Sequence, residues 1–108
     1  MRDGTSFEKA YIAKSGQTYD VNITKGGQIV YFEFTPTTSG SFTIQSTGNV
    51  DTYGTLYNST QSSLQTNDDG GEGSNFKITY TMETGTTYYV AARFYGSSNT
   101  GTFKVSFS

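Results

Sequence analysis

The stretch NFKITYTM, residues 75–82, alternates apolar and polar side chains with a period of two. Successive side chains of a β-strand point to opposite faces, so this stretch predicts a strand with one apolar face. Similar alternation predicts further strands over residues 17–24, 28–35, 40–46, 53–57, 88–95 and 101–108. These segments are rich in Thr, Tyr, Phe, Val and Ile, which favour strands.

Short segments rich in Gly, Asn and Asp separate the predicted strands and indicate tight turns. Strands with one apolar face bury that face by packing two sheets together or by closing a barrel. We therefore predict an all-β fold, an antiparallel, jelly-roll-like β-sandwich of seven or eight short strands over residues 17–108. Nine Tyr and eight Phe are expected to supply its core.

The first residues allow two interpretations. Residues 1–16 form a lead-in segment that could contain a first strand. The spacing of TSFE, residues 5–8, is also that of a helix capping box, and Phe7, Ala10 and Tyr11 could share one face of a short helix.

Composition excludes several classes of function. The chain has 108 residues, which is the length of a single domain. Its net charge is −2, and it contains no His and no Cys. Without His or Cys there is no Ser-His pair, no thiolate nucleophile and no ordinary zinc site. Binding to nucleic acid requires clustered Lys and Arg, so a chain with a net charge of −2 is not expected to have nucleic acid as a partner. No apolar run approaches the ~20 residues that a membrane-spanning helix needs. The Thr- and Ser-rich composition indicates a secreted or cell-surface protein.

A loop rich in oxygen ligands follows residue 66 and reads NDDGGEGSN, residues 67–75. Carboxylate and amide oxygens on a flexible backbone suit Ca²⁺, and the predicted ligands are Asp51, Asp68, Asp69 and Glu72. The alternative is a solvated turn held by side-chain hydrogen bonds of the Asx type. Asp68, Asp69 and Glu72 are poor candidates for glycoside hydrolysis, because all three lie in one flexible loop.

Four side chains are predicted to share the solvent face of the strands around residues 31 and 89–95. They are Tyr31, Tyr89, Arg93 and Tyr95. Flat tyrosine rings with a polar tip can stack on sugars or contact a peptide, so these residues form a candidate ligand-binding face. The alternative is an ordinary sheet surface on which tyrosines pair across strands.

Five fragments in order carry a family resemblance: DTYGTLYN at residues 51–58, NDDG at 67–70, NFKI at 75–78, GTTYYV at 85–90 and GTFKV at 101–105. Over about residues 17–107 the chain resembles the bacterial pre-peptidase C-terminal domain and the collagen-binding modules of clostridial collagenases. The resemblance implies a jelly-roll-like sandwich attached to a larger secreted or cell-surface protein. Some such domains bind Ca²⁺, although GGQ at residues 26–28 stands where many of them carry acidic residues.

The expected function is that of a non-catalytic accessory module, monomeric, that binds an extracellular polymer or supports a parent enzyme. The polymer would be a polysaccharide or a fibrous protein. The alternative is a purely structural spacer domain, with Ca²⁺ as an optional stabilising ion.

Overall fold

The computed structural model describes residues 4–48, 50–68, 70, 73–96 and 98–108. These residues contain nine strands and no helix. The strands are β1 (Tyr11–Ala13), β2 (Gln17–Ile23), β3 (Val30–Phe34), β4 (Gly40–Thr47), β5 (Thr52–Tyr57), β6 (Ser63–Asn67), β7 (Lys77–Met82), β8 (Tyr88–Phe94) and β9 (Gly101–Phe107). No helix able to span a membrane occurs in this part of the chain.

Two sheets form the predicted sandwich. The larger sheet has the order β1-β3-β8-β5-β6 and the smaller one the order β2-β9-β4-β7. All strand pairs are antiparallel except β1 with β3. Without β1, each sheet has four strands. Consecutive strands alternate between the sheets in the manner of a jelly roll, except for β5 and β6, which pair with each other in the larger sheet. The predicted all-β, jelly-roll-like sandwich is confirmed.

Phenylalanine rings from both sheets meet in the interior. Phe107 of the smaller sheet lies between Phe32 and Phe34 of the larger one, with ring centroids 5.5 and 5.4 Å apart. A second contact between the sheets joins Phe94 of β8 and Phe103 of β9, whose rings meet edge-on with centroids 5.3 Å apart. Aliphatic Ile, Val and Leu side chains fill the space between these rings.

The strand count differs from the predicted seven or eight. Neither β1 nor β6 is among the strands that alternation predicts, although β1 agrees with the alternative of a first strand within residues 1–16. β6, with the sequence SLQTN, carries one large apolar side chain, Leu64, and is an edge strand. Because an edge strand needs little apolar surface, its sequence lacks a strong alternating signal.

Residues 4–10, which we call the strap, form an irregular loop against the larger sheet rather than a helix. The Gly4 amide donates a hydrogen bond to the Lys9 carbonyl at 2.8 Å, and the Tyr31 amide donates one to the Gly4 carbonyl at 2.8 Å. A trace of the capping-box pattern survives, since the Lys9 amide donates to Ser6 Oγ at 3.3 Å. Tertiary packing of Phe7, described below, overrides the local helical signal.

Candidate functional site

The outer face of the larger sheet carries all four residues of the predicted ligand-binding face. Along β8, Tyr88, Val90 and Phe94 point into the core, so Tyr89 and Arg93 point outward. Tyr31 of the neighbouring β3 lies on the same side, opposite Ala91. The structure divides the four residues into two groups, with Tyr31 and Tyr89 in one and Arg93 and Tyr95 in the other.

The first group is an aromatic cluster closed by the strap. The Phe7 ring lies 4.7 Å from Tyr31, 4.9 Å from Tyr57 and 5.4 Å from Tyr89, measured between ring centroids. It meets Tyr57 and Tyr89 edge-on, at interplanar angles of 89°. Phe7 and Tyr57 are not among the predicted residues of this face, although the alternation in residues 53–57 places Tyr57 on the same side as Tyr53.

Two small side chains lie between these rings. Ala91 and Thr55 pair in register on the outward side of β8 and β5, yet they are only 6% and 8% exposed. Ala91 does not belong to the core cluster, so its burial comes from groups on the outer face. We call the three tyrosines, with Ala91 and Thr55 as the floor, the tyrosine cup.

Burial in the cup raises the pKa of the Tyr31 phenol. Loss of solvent around the Tyr31 hydroxyl raises its pKa above the usual 10.0, and the neighbouring Tyr57 phenol raises it further. Both causes favour the neutral hydroxyl.

The second group, which we call the tyrosine–arginine patch, consists of Tyr53, Arg93 and Tyr95. The Arg93 guanidinium carbon lies 4.4 Å from the centre of the Tyr53 ring, a cation–π arrangement. Arg93 Nη1 donates to the carbonyl oxygens of Phe94 and Tyr95 at 3.0 and 3.2 Å. The Tyr95 ring lies 6.4 Å from that of Tyr53 and is 53% exposed, so the patch is open to solvent.

The predicted calcium ligands lie partly in the described structure. Asp51 is exposed and borders a shallow depression with Gly73 and Ser74, whereas Asp68 is half-buried. Asp69 and Glu72 lie outside the described residues. Among the residues that are described, no three acidic side chains come together in a way that could hold a metal ion.

The start of the same loop contains the turn that the alternative interpretation predicts. Asn67 Oδ1 accepts hydrogen bonds from the Gly70 amide at 2.7 Å and from the Lys77 amide at 2.9 Å. One amide side chain thus ties the loop to the first residue of β7. Asn67 therefore has a structural role.

Several residues of the motifs behind the family resemblance meet in a buried polar network. Ser46 Oγ lies 2.6 Å from Thr52 Oγ1 and donates to Asn75 Oδ1 at 2.7 Å. Thr52 Oγ1 also accepts from the Phe76 amide at 2.9 Å, and Asn75 Nδ2 donates to the Gly48 carbonyl at 2.8 Å. These buried residues hold the ends of three strands together.

Comparison with known proteins gives matches in structure and none in sequence. No protein-family model matches the chain, and no curated protein sequence matches it. The pre-peptidase C-terminal domain of a collagenase from Bacillus anthracis superposes with a TM-score of 0.74, over 92% of this chain and 94% of that one, at 14% identity. The chain has the fold of a pre-peptidase C-terminal domain. The family resemblance is thereby confirmed at the level of the fold.

Two further structures show how widely this architecture occurs. The periplasmic inhibitor of g-type lysozyme from Aeromonas hydrophila has a TM-score of 0.57 at 11% identity, over 92% of this chain and 99% of that one. A family 35 carbohydrate-binding module from an environmental isolate has a TM-score of 0.51 at 11% identity, over 92% and 79% of the two chains. These likenesses describe the pre-peptidase C-terminal fold, and any function must come from the residues on its surface.

Proposed function

We propose that this protein is a non-catalytic module that binds an extended polymer outside the cell, a polysaccharide or a fibrous protein. The proposed contact surface is the tyrosine–arginine patch. In a longer chain, such a module would hold its parent enzyme on an insoluble substrate.

One observation carries this proposal: a guanidinium fixed over one tyrosine ring beside a second, exposed ring. The two carbonyl bonds of Nη1 and the cation–π contact with Tyr53 restrain the Arg93 side chain before any ligand arrives. Binding then costs little side-chain entropy. Tyrosine and arginine are also the residues most enriched among those that dominate binding energy.

The proposed location and the absence of catalysis have separate support. The chain lacks His and Cys and so cannot provide most nucleophile–base pairs. Among structures of the same fold are a domain of a bacterial collagenase, a periplasmic inhibitor and a carbohydrate-binding module. These neighbours supply an analogy of fold, and the patch supplies the chemical argument.

Retention on insoluble matrices tests the proposal. The wild type, Tyr95→Ala and Arg93→Ala are incubated with cellulose, chitin, xylan and fibrillar collagen, and the bound fraction is measured. We expect the wild type to bind at least one matrix and each variant to bind it about tenfold more weakly, equivalent to about 1.4 kcal/mol. The matrix that retains the protein identifies the polymer class.

Ile12→Ala is the matched control, because Ile12 is 52% exposed and lies at the β1 edge of the same sheet. Its retention should equal that of the wild type, and all variants should keep the wild-type melting temperature within a few degrees. Failure of the wild type to bind any matrix would favour the spacer role. Equal retention of every variant would move the contact surface away from the patch.

A further inference from the structure

We propose that the tyrosine cup is a second binding site, specific for a phenylalanine side chain on a peptide, and that Phe7 is its replaceable occupant. This proposal is independent of polymer binding by the tyrosine–arginine patch. It rests on what fills the cup in the structure: a phenyl ring carried by a peptide segment.

The shape of the cup matches a single phenyl ring. Tyr31, Tyr57 and Tyr89 surround Phe7, with ring centroids within 5.4 Å of its own, while Ala91 leaves the floor open. Ring separations of 4.5–7 Å in tilted and edge-on arrangements are the favourable ones for aromatic pairs. A larger residue at position 91 would occupy the space between the tyrosine rings.

The cup recognises peptide backbone as well as a ring. The Tyr31 amide, at the edge of the cup, donates a hydrogen bond to the carbonyl three residues before Phe7, that of Gly4. A ligand therefore needs a phenylalanine and an accessible carbonyl three residues towards its N-terminus. This requirement favours a peptide over a sugar, because a sugar carries no phenyl ring to fill the cup.

The strap is built as a small closed loop that presents this ring. The Gly4 amide bonds to the Lys9 carbonyl, and the Ala10 amide to the Phe7 carbonyl, so the loop holds its own shape. Gly4 has a φ of +77°, and a Cβ at this position would lie 2.6 Å from the Tyr11 ring. Both facts favour glycine at the start of the strap. Glu8 and Lys9 face solvent.

Tethering explains why the cup is filled in the isolated chain. A covalently attached segment competes at an effective concentration on the order of millimolar. A free peptide of similar intrinsic affinity therefore binds weakly to the wild type and more tightly once Phe7 is removed, when its phenyl ring has no competitor and only its carbonyl still competes with that of Gly4. A partner would gain access either at high local concentration or by contacts outside the cup.

The test uses the strap peptide itself. An acetylated peptide GTSFEKA carrying 4-fluorophenylalanine is titrated with full-length Phe7→Ala and with the wild type, and ¹⁹F NMR is recorded. We expect saturable shift and broadening with Phe7→Ala, and an apparent affinity at least tenfold lower for the wild type. The double variant Phe7→Ala/Ala91→Leu should lose binding, whereas Phe7→Ala/Ile12→Ala should keep it.

A second measurement covers the case in which Phe7→Ala does not fold. Wild-type protein labelled with 4-fluorophenylalanine at position 7 is titrated with unlabelled peptide to several millimolar. Displacement should convert the ¹⁹F signal of the packed, half-buried ring to that of a ring exposed to solvent. No conversion in this experiment would overturn the proposal.

Two further results would also overturn it: a folded Phe7→Ala protein that does not bind the peptide, or binding that survives Ala91→Leu.

Cellohexaose in place of the peptide is expected to leave the ¹⁹F signal unchanged. Displacement by the sugar alone would assign the cup to carbohydrate instead. Loss of matrix retention in the patch variants leaves this result unaffected, so the two proposals fail separately.

Discussion

Gly54 lies in the middle of β5 and faces the Phe76 ring across the interior. A Cβ at this position would overlap three atoms of that ring, which belongs to a fully buried side chain. The glycine of one motif, DTYGTLY, and the phenylalanine of another, NFKI, are therefore matched in shape. Their place in the family resemblance reflects packing and not ligand binding.

The Gly54→Ala substitution tests this contact. We expect it to destabilise the protein by about 1–3 kcal/mol, because an added carbon in a filled core forces the ring or the backbone to move. Phe76→Leu should remove part of the conflict, so the double variant should be less destabilised than the sum of the single changes. Chemical denaturation of all four proteins measures both effects. An unchanged midpoint for Gly54→Ala would show that the ring moves freely.

At the scale of elements, β4, β5 and β7 are joined at one end by the Ser46–Thr52–Asn75 network. The hydroxyl of Thr52 serves two partners, and the amide of Phe76 bonds to it instead of to a neighbouring strand. This bond explains why β7 begins at Lys77 although the alternating pattern begins two residues earlier. The network also fixes the loop that carries Asp51.

Thr52→Val tests the network at nearly constant volume. It leaves the Phe76 amide and the Ser46 hydroxyl without their threonine partner in the interior, so we expect a loss of about 1–3 kcal/mol in the free energy of unfolding. Thr43→Val is the control, because the Thr43 hydroxyl shares an exposed bond with Thr79. Its effect should stay within about 0.5 kcal/mol. Equal melting temperatures for the two variants would contradict the importance of the network.

At the scale of the whole molecule, the segments that lead into β5 and β7 meet at one end of the sandwich. The Thr52 amide donates to the Ser74 carbonyl, the Asn75 side chain donates to the Gly48 carbonyl, and Asp51 borders the same depression as Ser74. Asp51 therefore lies beside the end of the acidic loop. We propose, as a separate point, that Ca²⁺ stabilises the protein at this end.

A melting scan with calcium and with chelator tests that proposal. An ion that binds only the folded state raises the free energy of unfolding by RT ln(1 + [L]/Kd), about 2.7 kcal/mol at 100 Kd. We expect millimolar Ca²⁺ to raise the melting temperature of the wild type and to have less effect on Asp51→Asn. Identical midpoints with and without chelator would support the solvated turn instead.

The strands with strong alternation were predictable because each buries one face, and burial imposes a period of two on the sequence. The same period also predicts that Tyr31, Tyr89 and Arg93 lie on the solvent face of their strands. Phe7 could not be placed in this way, because its partners are far away in sequence and the local pattern of residues 5–11 also fits a helix. Likewise, the cation–π contact between Tyr53 and Arg93 could not be predicted, because it depends on the register between β5 and β8.

The amino-acid sequence by itself determined the sandwich, the aromatic core and the exclusion of histidine and cysteine chemistry. Those properties depend on residue type and on short-range order along the chain. Only the tertiary structure decided which outward side chains lie together and which are covered. Register and strand order bring Arg93 onto Tyr53, and the path of the strap brings Phe7 onto three tyrosines. Such contacts join residues whose separation along the chain carries no periodic signal.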